Sequence, residues 1–460
     1  MRSALGLFLL GLPSLGCSWT RFDDITENAP IVLLNRPKDI SNGFGTSLAA
    51  TRWTNEDTGK EEVKLLVGGA ALASGGAEFD LGSGDAPSLE ASDTGHCLGA
   101  ETACYFSSTP VPLARAKGPG STLDYCFVDG GGVASGERGV VVRCKDDIEY
   151  ALPVPDAVDG ALEFAITSSQ PTALQFAGDN GPDSALLATA LQTTAVWYYP
   201  PLSQRFVDVL EPARSRGRWE QDVQRQLAIA RVGETARLLV VAEPEAGTAR
   251  LFLADGSAEP SYIGCLGGSA GFGRSLATGV VTAGDADDEL VIADDQHVFV
   301  FDGAKLAGLP PTDNTDCSLG SLPEGTLVTS FGCGATKNIS GCESSEFGAA
   351  LAVGDLDGDG DGEVIVGAPS MTVRHTARAG ALVIYDVDPP SATNPRQLHD
   401  FLDIAFLSSA EQDDQLGRSI AVPDLGERQL LVAGAPGGGK AALFYCPSFL
   451  PPELGGGRCQ

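Results

Sequence analysis

Residues 347–369 carry the sequence FGAALAVGDLDGDGDGEVIVGAP, whose centre alternates acidic side chains with other residues, mainly glycine. Calcium takes six to eight oxygen ligands at about 2.3–2.6 Å, so carboxylates at every second position of a tight loop can converge on one ion. The glycines between them permit positive φ angles without the steric cost of a Cβ. The pattern therefore predicts a calcium site formed by Asp355, Asp357, Asp359, Asp361 and Glu363.

The loop begins like an EF-hand, with the pattern D-x-D-x-D-G, but its flanks are not typical of helices. The twelfth position is Val366, where an EF-hand needs a bidentate glutamate. The flanking runs AALAV (349–353) and EVIV (363–366) are short, apolar and bounded by glycine, which is typical of buried strands. We therefore predict that the loop is the tip of a β-hairpin. The alternative is that its acids and glycines form only a solvated turn.

Three features of this stretch occur together in a fixed order. Phe347-Gly348 opens the first strand, the acidic loop follows, and Gly367-Ala368-Pro369 closes the second strand. With these features the stretch resembles an FG-GAP repeat, the unit of the seven-bladed β-propeller of integrin α-subunits. The resemblance implies a binding or adhesion role at the cell surface. It also implies calcium ligation through the side chains of Asp355, Asp357, Asp359 and Glu363 and through the backbone carbonyl of Asp361.

Similar openings recur along the chain near residues 44, 116, 174, 227, 272, 347 and 416, at intervals of roughly 45 to 75 residues. About 40–50 residues are typical of one four-stranded propeller blade. A small sheet cannot bury both of its faces alone, whereas a ring of sheets buries each sheet against its neighbours. We therefore predict an all-β fold, a seven-bladed β-propeller of FG-GAP type repeats over residues 31–446. The strand IVLLN (31–35) is expected to join the last blade as an outer strand and close the ring.

The repeats differ in how clearly the sequence defines them. The first, fifth, sixth and seventh are individually recognisable, whereas the second is degraded to two strands, 123–131 and 138–146. The tip of the first repeat lacks alternating carboxylates, so no metal is predicted there. The fifth repeat opens with Phe272-Gly273, and its acidic tip lacks the glycines that would let it wrap around an ion. Metal binding at that tip stays open, with the candidate side chains Asp285, Asp287, Asp288 and Glu289.

The N-terminal sequence MRSALGLFLLGLPSLGC has one basic residue, a short apolar run and then small residues. The apolar run is too short to span a membrane and is typical of a secretory signal, here residues 1–16. Ser14-Leu15-Gly16-Cys17 resembles a bacterial lipobox, although leucine is usual where Ser14 stands. We predict lipidation at Cys17, a tether over 17–30 and a C-terminal tail over 447–460. The expected location is the bacterial cell envelope, at the outer membrane or cell surface; an ordinary signal peptide is the alternative.

The chain has 11 cysteines, so an even number remains when Cys17 is set aside. An even number is what a disulfide framework in an oxidising compartment requires. A zinc site is the alternative, but the sequence contains no C-x-x-C pair and its histidines are scattered. Spacing does not determine connectivity. It suggests local pairs of Cys97 with Cys104, Cys126 with Cys144, Cys333 with Cys342 and Cys446 with Cys459, which leaves Cys265 and Cys317 for each other.

Charge and motifs limit the possible functions. With 61 acidic and 30 basic residues the formal net charge is −31, which argues against nucleic acid and anionic membrane surfaces as partners. GAPGGGKA (434–441) lacks the hydroxyl and the helix of a phosphate-binding loop, and Ser269 in GGSAG lacks the context of a nucleophile elbow. We therefore expect a non-enzymatic module whose ligand is a surface protein or polysaccharide, and whose only membrane contact is its lipid. The alternatives are an envelope enzyme using the propeller channel and a lectin-like sugar binder.

Overall fold

The fold is all-β in the part of the chain that the structure, a computed structural model, describes. That part comprises residues 31–36, 43–55, 60–68, 76–81, 116–117, 123–128, 131–134, 141–142, 149–151, 164–165, 171–177, 185–190, 196–199, 207–209, 225–255, 259–282, 286–311, 316–333, 344–356, 358, 360–373, 375–387, 398–404, 411–426 and 429–444.

The strands of the N-terminal half are two to nine residues long, and all of their pairings are antiparallel. They are β1 (Ile31–Asn35), β2 (Ser47–Asn55), β3 (Lys60–Gly68), β4 (Gly76–Asp80), β5 (Ala116–Lys117), β6 (Leu123–Val128), β7 (Gly131–Ala134), β8 (Val141–Val142), β9 (Glu149–Ala151), β10 (Phe164–Ala165), β11 (Pro171–Ala177), β12 (Ala185–Ala190), β13 (Val196–Tyr199) and β14 (Val207–Asp208).

The strands of the C-terminal half are two to eight residues long. They are β15 (Gln226–Val232), β16 (Ala236–Glu243), β17 (Thr248–Ala254), β18 (Ser261–Gly267), β19 (Ser275–Gly279), β20 (Glu289–Ala293), β21 (His297–Phe301), β22 (Leu327–Gly332), β23 (Leu351–Gly354), β24 (Glu363–Ala368), β25 (Ala381–Val387), β26 (Leu398–Ile404), β27 (Ile420–Ala421), β28 (Leu431–Ala435) and β29 (Lys440–Phe444). One short helix, α1 (Gly303–Ala307), and the 3-10 turns Leu319–Ser321 and Pro436–Gly438 interrupt them. No helix in the described ranges has the length and hydropathy needed to cross a bilayer.

The strands form successive antiparallel sheets in chain order. Three of these sheets, β2–β4, β5–β7 and β8–β10, have three strands; the sheets β11–β14, β15–β18, β19–β22 and β23–β26 have four. The last sheet combines β27, β28 and β29 with the first strand of the chain, β1. β1 pairs with β29, with Ile31 opposite Phe444 and Asn35 opposite Lys440. The prediction that IVLLN joins the last repeat as an outer strand is therefore confirmed.

The sheets pack side by side through their first strands and their faces. The first strands β11, β15, β19, β23, β27 and β2 contact one another in that series. Five buried apolar clusters each join two neighbouring sheets in the same series. The second strands β20, β24 and β28 are consequently buried along their whole length. The sheets β15–β18, β19–β22 and β23–β26 and the last sheet therefore bury both faces against their neighbours. This is why the second strands β20, β24 and β28 are uninterrupted apolar runs rather than alternating ones.

The second repeat is organised differently from the prediction. Its two predicted strands, 123–131 and 138–146, contain β6 and β8, and these belong to different three-stranded sheets. The described residues form eight sheets, and two of them, β5–β7 and β8–β10, lie in the chain between the sheets of the first and third repeats.

The FG residues of four repeats share one local geometry. The residue before each glycine is Phe44, Phe272, Phe347 or Leu416, and each is at most 2% exposed. Each glycine has a φ between +83° and +94°, a left-handed conformation that favours residues without a Cβ. Its N–H donates to a carbonyl at the end of the second strand of the same repeat: Gly45 to Gly68 at 2.9 Å, Gly273 to Ala293 at 2.9 Å, Gly348 to Gly367 at 3.0 Å and Gly417 to Gly434 at 3.0 Å.

The glycine of the GAP sequence fits against the FG glycine of the next repeat. A Cβ on Gly367 would lie 2.0 Å from the carbonyl oxygen of Gly417, and one on Gly434 would lie 1.8 Å from that of Gly45. Ser419 also donates its hydroxyl to the Gly45 carbonyl at 2.7 Å, so this contact joins the last repeat to the first. The FG and GAP sequences therefore define the contact between successive repeats, because only glycine leaves room for it.

We expect Gly434→Ala to lower the free energy of unfolding by about 1–3 kcal/mol, because the new methyl group must displace the backbone of the first repeat. Gly320→Ala is a suitable control, since its Cβ would lie 3.6 Å from Ser318 Oγ, an ordinary contact, and its φ is outside the left-handed range. Urea unfolding of both variants measures the difference. Equal losses would show that the close approach at Gly434 is not what constrains this position.

Candidate metal centre

The acidic loop of the sixth repeat lies at the tip of the β23–β24 hairpin, as predicted. Gly354, the last residue of β23, pairs with Glu363, the first residue of β24. β24 is buried along its length and pairs on its other side with β25. The loop is thus held between two strands fixed in the core, and the end of the hairpin that carries it is called here the tip end of the repeat.

The carboxylate of Asp355 organises the first part of the loop. Its Oδ1 accepts the N–H of Gly358 at 2.6 Å, and its Oδ2 accepts the N–H of Gly360 at 3.2 Å. These glycines have φ angles of +80° and +103°, and a Cβ on either would meet nothing within 4 Å. Backbone conformation rather than space therefore requires glycine here. The result is a backbone that curls around one carboxylate.

Glu363 closes the hairpin from its other side. It is 3% exposed, and its Oε2 accepts the backbone N–H of Leu356 at 2.7 Å. Glu289 occupies the same place in the fifth repeat, where its Oε2 accepts the N–H of Val281 at 2.7 Å. The sequence interpretation assigned Glu363 only as a metal ligand and missed this structural role. The signal was available, since both second strands begin with glutamate, in ELVIA and EVIVGA.

The structure brings three of the five predicted ligand residues to the loop it describes. These are Asp355, Asp361, which is half-buried, and Glu363. Asp357 and Asp359 lie outside the described residues. Within the described ranges, which omit those two aspartates, no three His, Cys, Asp or Glu side chains are grouped so as to hold a metal ion.

In the acidic tip of the fifth repeat, the carboxylates of Asp287 and Asp288 accept hydrogen bonds from the fourth repeat. Asp288 is 7% exposed, and its Oδ2 accepts the backbone N–H of Arg231 at 2.7 Å while Oδ1 lies 3.4 Å from the Arg231 guanidinium. Asp287 accepts the N–H of Gly233. Asp285, the remaining aspartate of the predicted tip, lies outside the described residues. These contacts tie the fifth repeat to the tip of the fourth, so Asp287 and Asp288 stabilise a contact between repeats.

The acidic loop is also tied to both neighbouring repeats. The N–H of Gly362 donates to the carbonyl of Val280 in the fifth repeat at 2.6 Å. The N–H of Asp355 donates to Oε1 of Gln429 in the seventh repeat at 2.9 Å. Gln429 was not among the residues singled out from the sequence, and no local motif marks it. The loop is therefore positioned by three repeats rather than by its own hairpin alone.

The two motifs set aside in the sequence have structural partners. Lys440 of GAPGGGKA begins strand β29, and its Nζ lies 2.8 Å from Asp414. The hydroxyl of Ser269 donates to the buried carboxylate of Asp294. The chain after Lys440 continues as a strand where a phosphate-binding loop would lead into a helix. Both motifs thus contribute to the contacts between elements.

The disulfide pattern agrees with the prediction where it is described. Cys265 is bonded to Cys317, with Cα atoms 4.7 Å apart and a sequence separation of 52 residues. Cys333 is also disulfide-bonded, whereas its predicted partner Cys342 lies outside the described residues. The other predicted pairs, and the predicted lipidation site Cys17, fall outside the described side chains.

The described residues form successive antiparallel sheets, with an acidic loop at one hairpin tip. This arrangement is typical of all-β repeat proteins. Residues 347–385 match the family model of the FG-GAP repeat, so the chain contains such a repeat in the β23–β25 segment. This match supports a propeller-type fold. A search of curated proteins finds no match to the chain.

Proposed function

We propose that this protein is a calcium-binding β-propeller of seven FG-GAP blades, of the kind found in integrin α-subunits, and that it acts as a binding or adhesion module. The observation that carries the proposal is the loop 355–363, which curls around the Asp355 carboxylate inside the segment that matches the FG-GAP repeat. The proposed ligand oxygens come from Asp355, Asp357, Asp359, Asp361 and Glu363.

The donor chemistry of the loop fits calcium. Its side chains supply only oxygen, the ligand atom that hard cations prefer. Calcium accepts a variable coordination geometry, so a glycine-rich loop can arrange these oxygens around it. Asp355 is oriented by two backbone N–H groups and Glu363 by one, so part of the donor set is pre-oriented. Calcium would offset the mutual repulsion of the carboxylates, and the protein residues would hold the hairpin tip in one conformation.

The proposed setting is the bacterial cell envelope. Cleavage before Cys17 and lipidation there would leave a tether of residues 17–30 before strand β1. β1 lies at the outer edge of the last sheet, paired with β29, so a tether can leave the fold without crossing its core. The oxidised Cys265–Cys317 pair is consistent with export, because disulfides persist in oxidising compartments. The proposed partner is a protein or polysaccharide at the cell surface.

We expect calcium to raise the melting temperature of the protein and a chelator to reverse the change. A ligand that binds only the native state stabilises it by RT ln(1 + [L]/Kd), about 2.7 kcal/mol at a hundredfold excess over Kd. Extracellular modules commonly bind calcium with Kd of about 10⁻⁴–10⁻³ M, so the increase should develop at millimolar calcium. Asp355→Asn should abolish most of it, because one charged ligand is lost, while the amide oxygen can still accept the N–H of Gly358 or of Gly360.

Asp288→Asn is the matched control. It removes the same charge from an aspartate that also accepts a backbone N–H, in the tip of the fifth repeat. It should lower the melting temperature equally with and without calcium and leave the calcium-induced increase intact. Equal losses of the increase in both variants would indicate diffuse screening of an acidic surface, and the site at 355–363 would be withdrawn.

A further inference from the structure

The acidic loop is anchored at its first residue by a side chain from another repeat. The N–H of Asp355 donates to Oε1 of Gln429 at 2.9 Å, although the two residues are 74 positions apart in sequence. Gln429 is itself held in place, because it forms a β-bridge with Asp424 at the tip end of the seventh repeat. The neighbouring Leu430 N–H donates to the carbonyl of Pro423 at 2.9 Å. The acceptor that meets Asp355 is therefore fixed by the seventh repeat.

Close packing at Gly354 enforces this contact. A Cβ on Gly354 would lie 2.4 Å from Cγ1 of Val422 and 2.7 Å from Oε1 of Gln429. Its φ lies outside the left-handed range, so glycine is required for space at this position rather than for conformation. Strand β23 consequently approaches the seventh repeat closely just before the acidic loop begins.

The same position carries a contact to the preceding repeat in three successive repeats. The position lies at the start of the second strand of each repeat, immediately before Glu289, Glu363 or Leu430. It is occupied by Asp288 in the fifth repeat, Gly362 in the sixth and Gln429 in the seventh. Asp288 accepts the N–H of Arg231, Gly362 donates to Val280, and Gln429 accepts the N–H of Asp355. In the last of these contacts the residue reached in the preceding repeat is a proposed calcium ligand.

We propose that Gln429 is a positioning residue for the calcium site, so that calcium affinity in the sixth repeat depends on a side chain of the seventh. This inference rests on the proposed calcium binding at residues 355–363. The Asp355 N–H bond fixes the backbone from which the Asp355 carboxylate extends. Without an acceptor at Gln429, calcium must order this end of the loop as it binds, and the cost of ordering reduces its affinity. Groups that orient metal ligands from outside typically change metal affinity by about 10–100-fold when they are lost.

The test is calorimetric titration of the disulfide-intact protein with calcium chloride after removal of bound metal. Gln429→Met retains the length of the side chain but removes the acceptor, and should raise the calcium Kd by about tenfold. Gln429→Asn, which retracts the amide by one methylene, should raise it similarly and serves if the Met variant does not fold. Gln429→Glu retains an oxygen acceptor and should keep the Kd close to that of the unmodified protein.

Ser419→Ala is the control for a purely structural effect. Ser419 lies in the seventh repeat, as Gln429 does, but at the opposite end of the hairpin. The substitution removes the hydrogen bond that Ser419 Oγ donates to the carbonyl of Gly45 in the first repeat. It should lower the melting temperature in chelator without changing the calcium Kd.

The titrations distinguish failure of the proposed calcium site from failure of the inference about Gln429. If the unmodified protein takes up no calcium, the proposed function fails. If it binds calcium and Gln429→Met and Gln429→Asn bind it equally well, the inference about Gln429 fails while the calcium site stands. If Gln429→Glu is weakened as much as Gln429→Met, the acceptor oxygen is not the cause and the inference also fails.

Discussion

Glu243→Ala is expected to lower the free energy of unfolding by about 3–5 kcal/mol, because it removes a buried carboxylate that pairs with the buried guanidinium of Arg225. Arg225 is 1% exposed, and its Nε lies 3.2 Å from Oε1 of Glu243. The second oxygen of Glu243 pairs with Arg250. Glu243 is the last residue of β16 and belongs to Ala242-Glu243-Pro244, which stands where other repeats carry the GAP sequence.

Urea unfolding measures this loss directly. Glu245→Ala is the matched control, since Glu245 is exposed two residues further along the same turn, and it should change stability by no more than about 0.5 kcal/mol. A double variant, Arg225→Met with Glu243→Met, should recover much of the loss, because replacing a buried ion pair with apolar side chains is often neutral. Stabilities of Glu243→Ala and Glu245→Ala within error of each other would contradict a stabilising role for the buried Arg225–Glu243 ion pair.

Removal of the Cys265–Cys317 disulfide is expected to cost about 4 kcal/mol, the loop-closure value for its sequence separation of 52 residues. The bond joins the last strand of the fourth repeat to the segment before β22 of the fifth, so it links two neighbouring sheets. Guanidinium unfolding of the double variant Cys265→Ala with Cys317→Ala, compared with the unmodified protein, measures this contribution.

Thiol alkylation under denaturing, non-reducing conditions is the companion measurement. It should label neither Cys265 nor Cys317 in protein purified from an oxidising compartment. Labelling of both, or a double variant as stable as the unmodified protein, would contradict a structural role for this bond.

The local features of the fold could be predicted from sequence because each is encoded in a short segment. The hairpin at 351–368 follows from two apolar runs around a glycine-rich loop, and the structure places β23 and β24 there. The pairing of β1 with β29 could be predicted because IVLLN is an isolated strand with no neighbour of its own. The second repeat was less predictable, because its strands are short and lack the FG and GAP residues that identify the others.

The contacts between repeats could not be predicted from the sequence. Gln429 meets Asp355 across 74 residues, and Asp288 meets Arg231 across 57, so no local spacing connects the partners. Each pair depends on how closely two neighbouring sheets approach, and small residues such as Gly354 at the contact permit that approach. The acidic tip of the fifth repeat shows the same effect, since its carboxylates resemble ligands in sequence and contact protein donors in the structure.

The most direct test of the central claim is calorimetric titration of the metal-free protein with calcium. We expect uptake of one calcium ion per chain at the 355–363 loop, with a Kd of about 10⁻⁴–10⁻³ M, and loss of this uptake in Asp355→Asn but not in Asp288→Asn. Absence of calcium uptake by the unmodified protein, or uptake that persists unchanged in Asp355→Asn, would contradict the assignment of a calcium site to this loop.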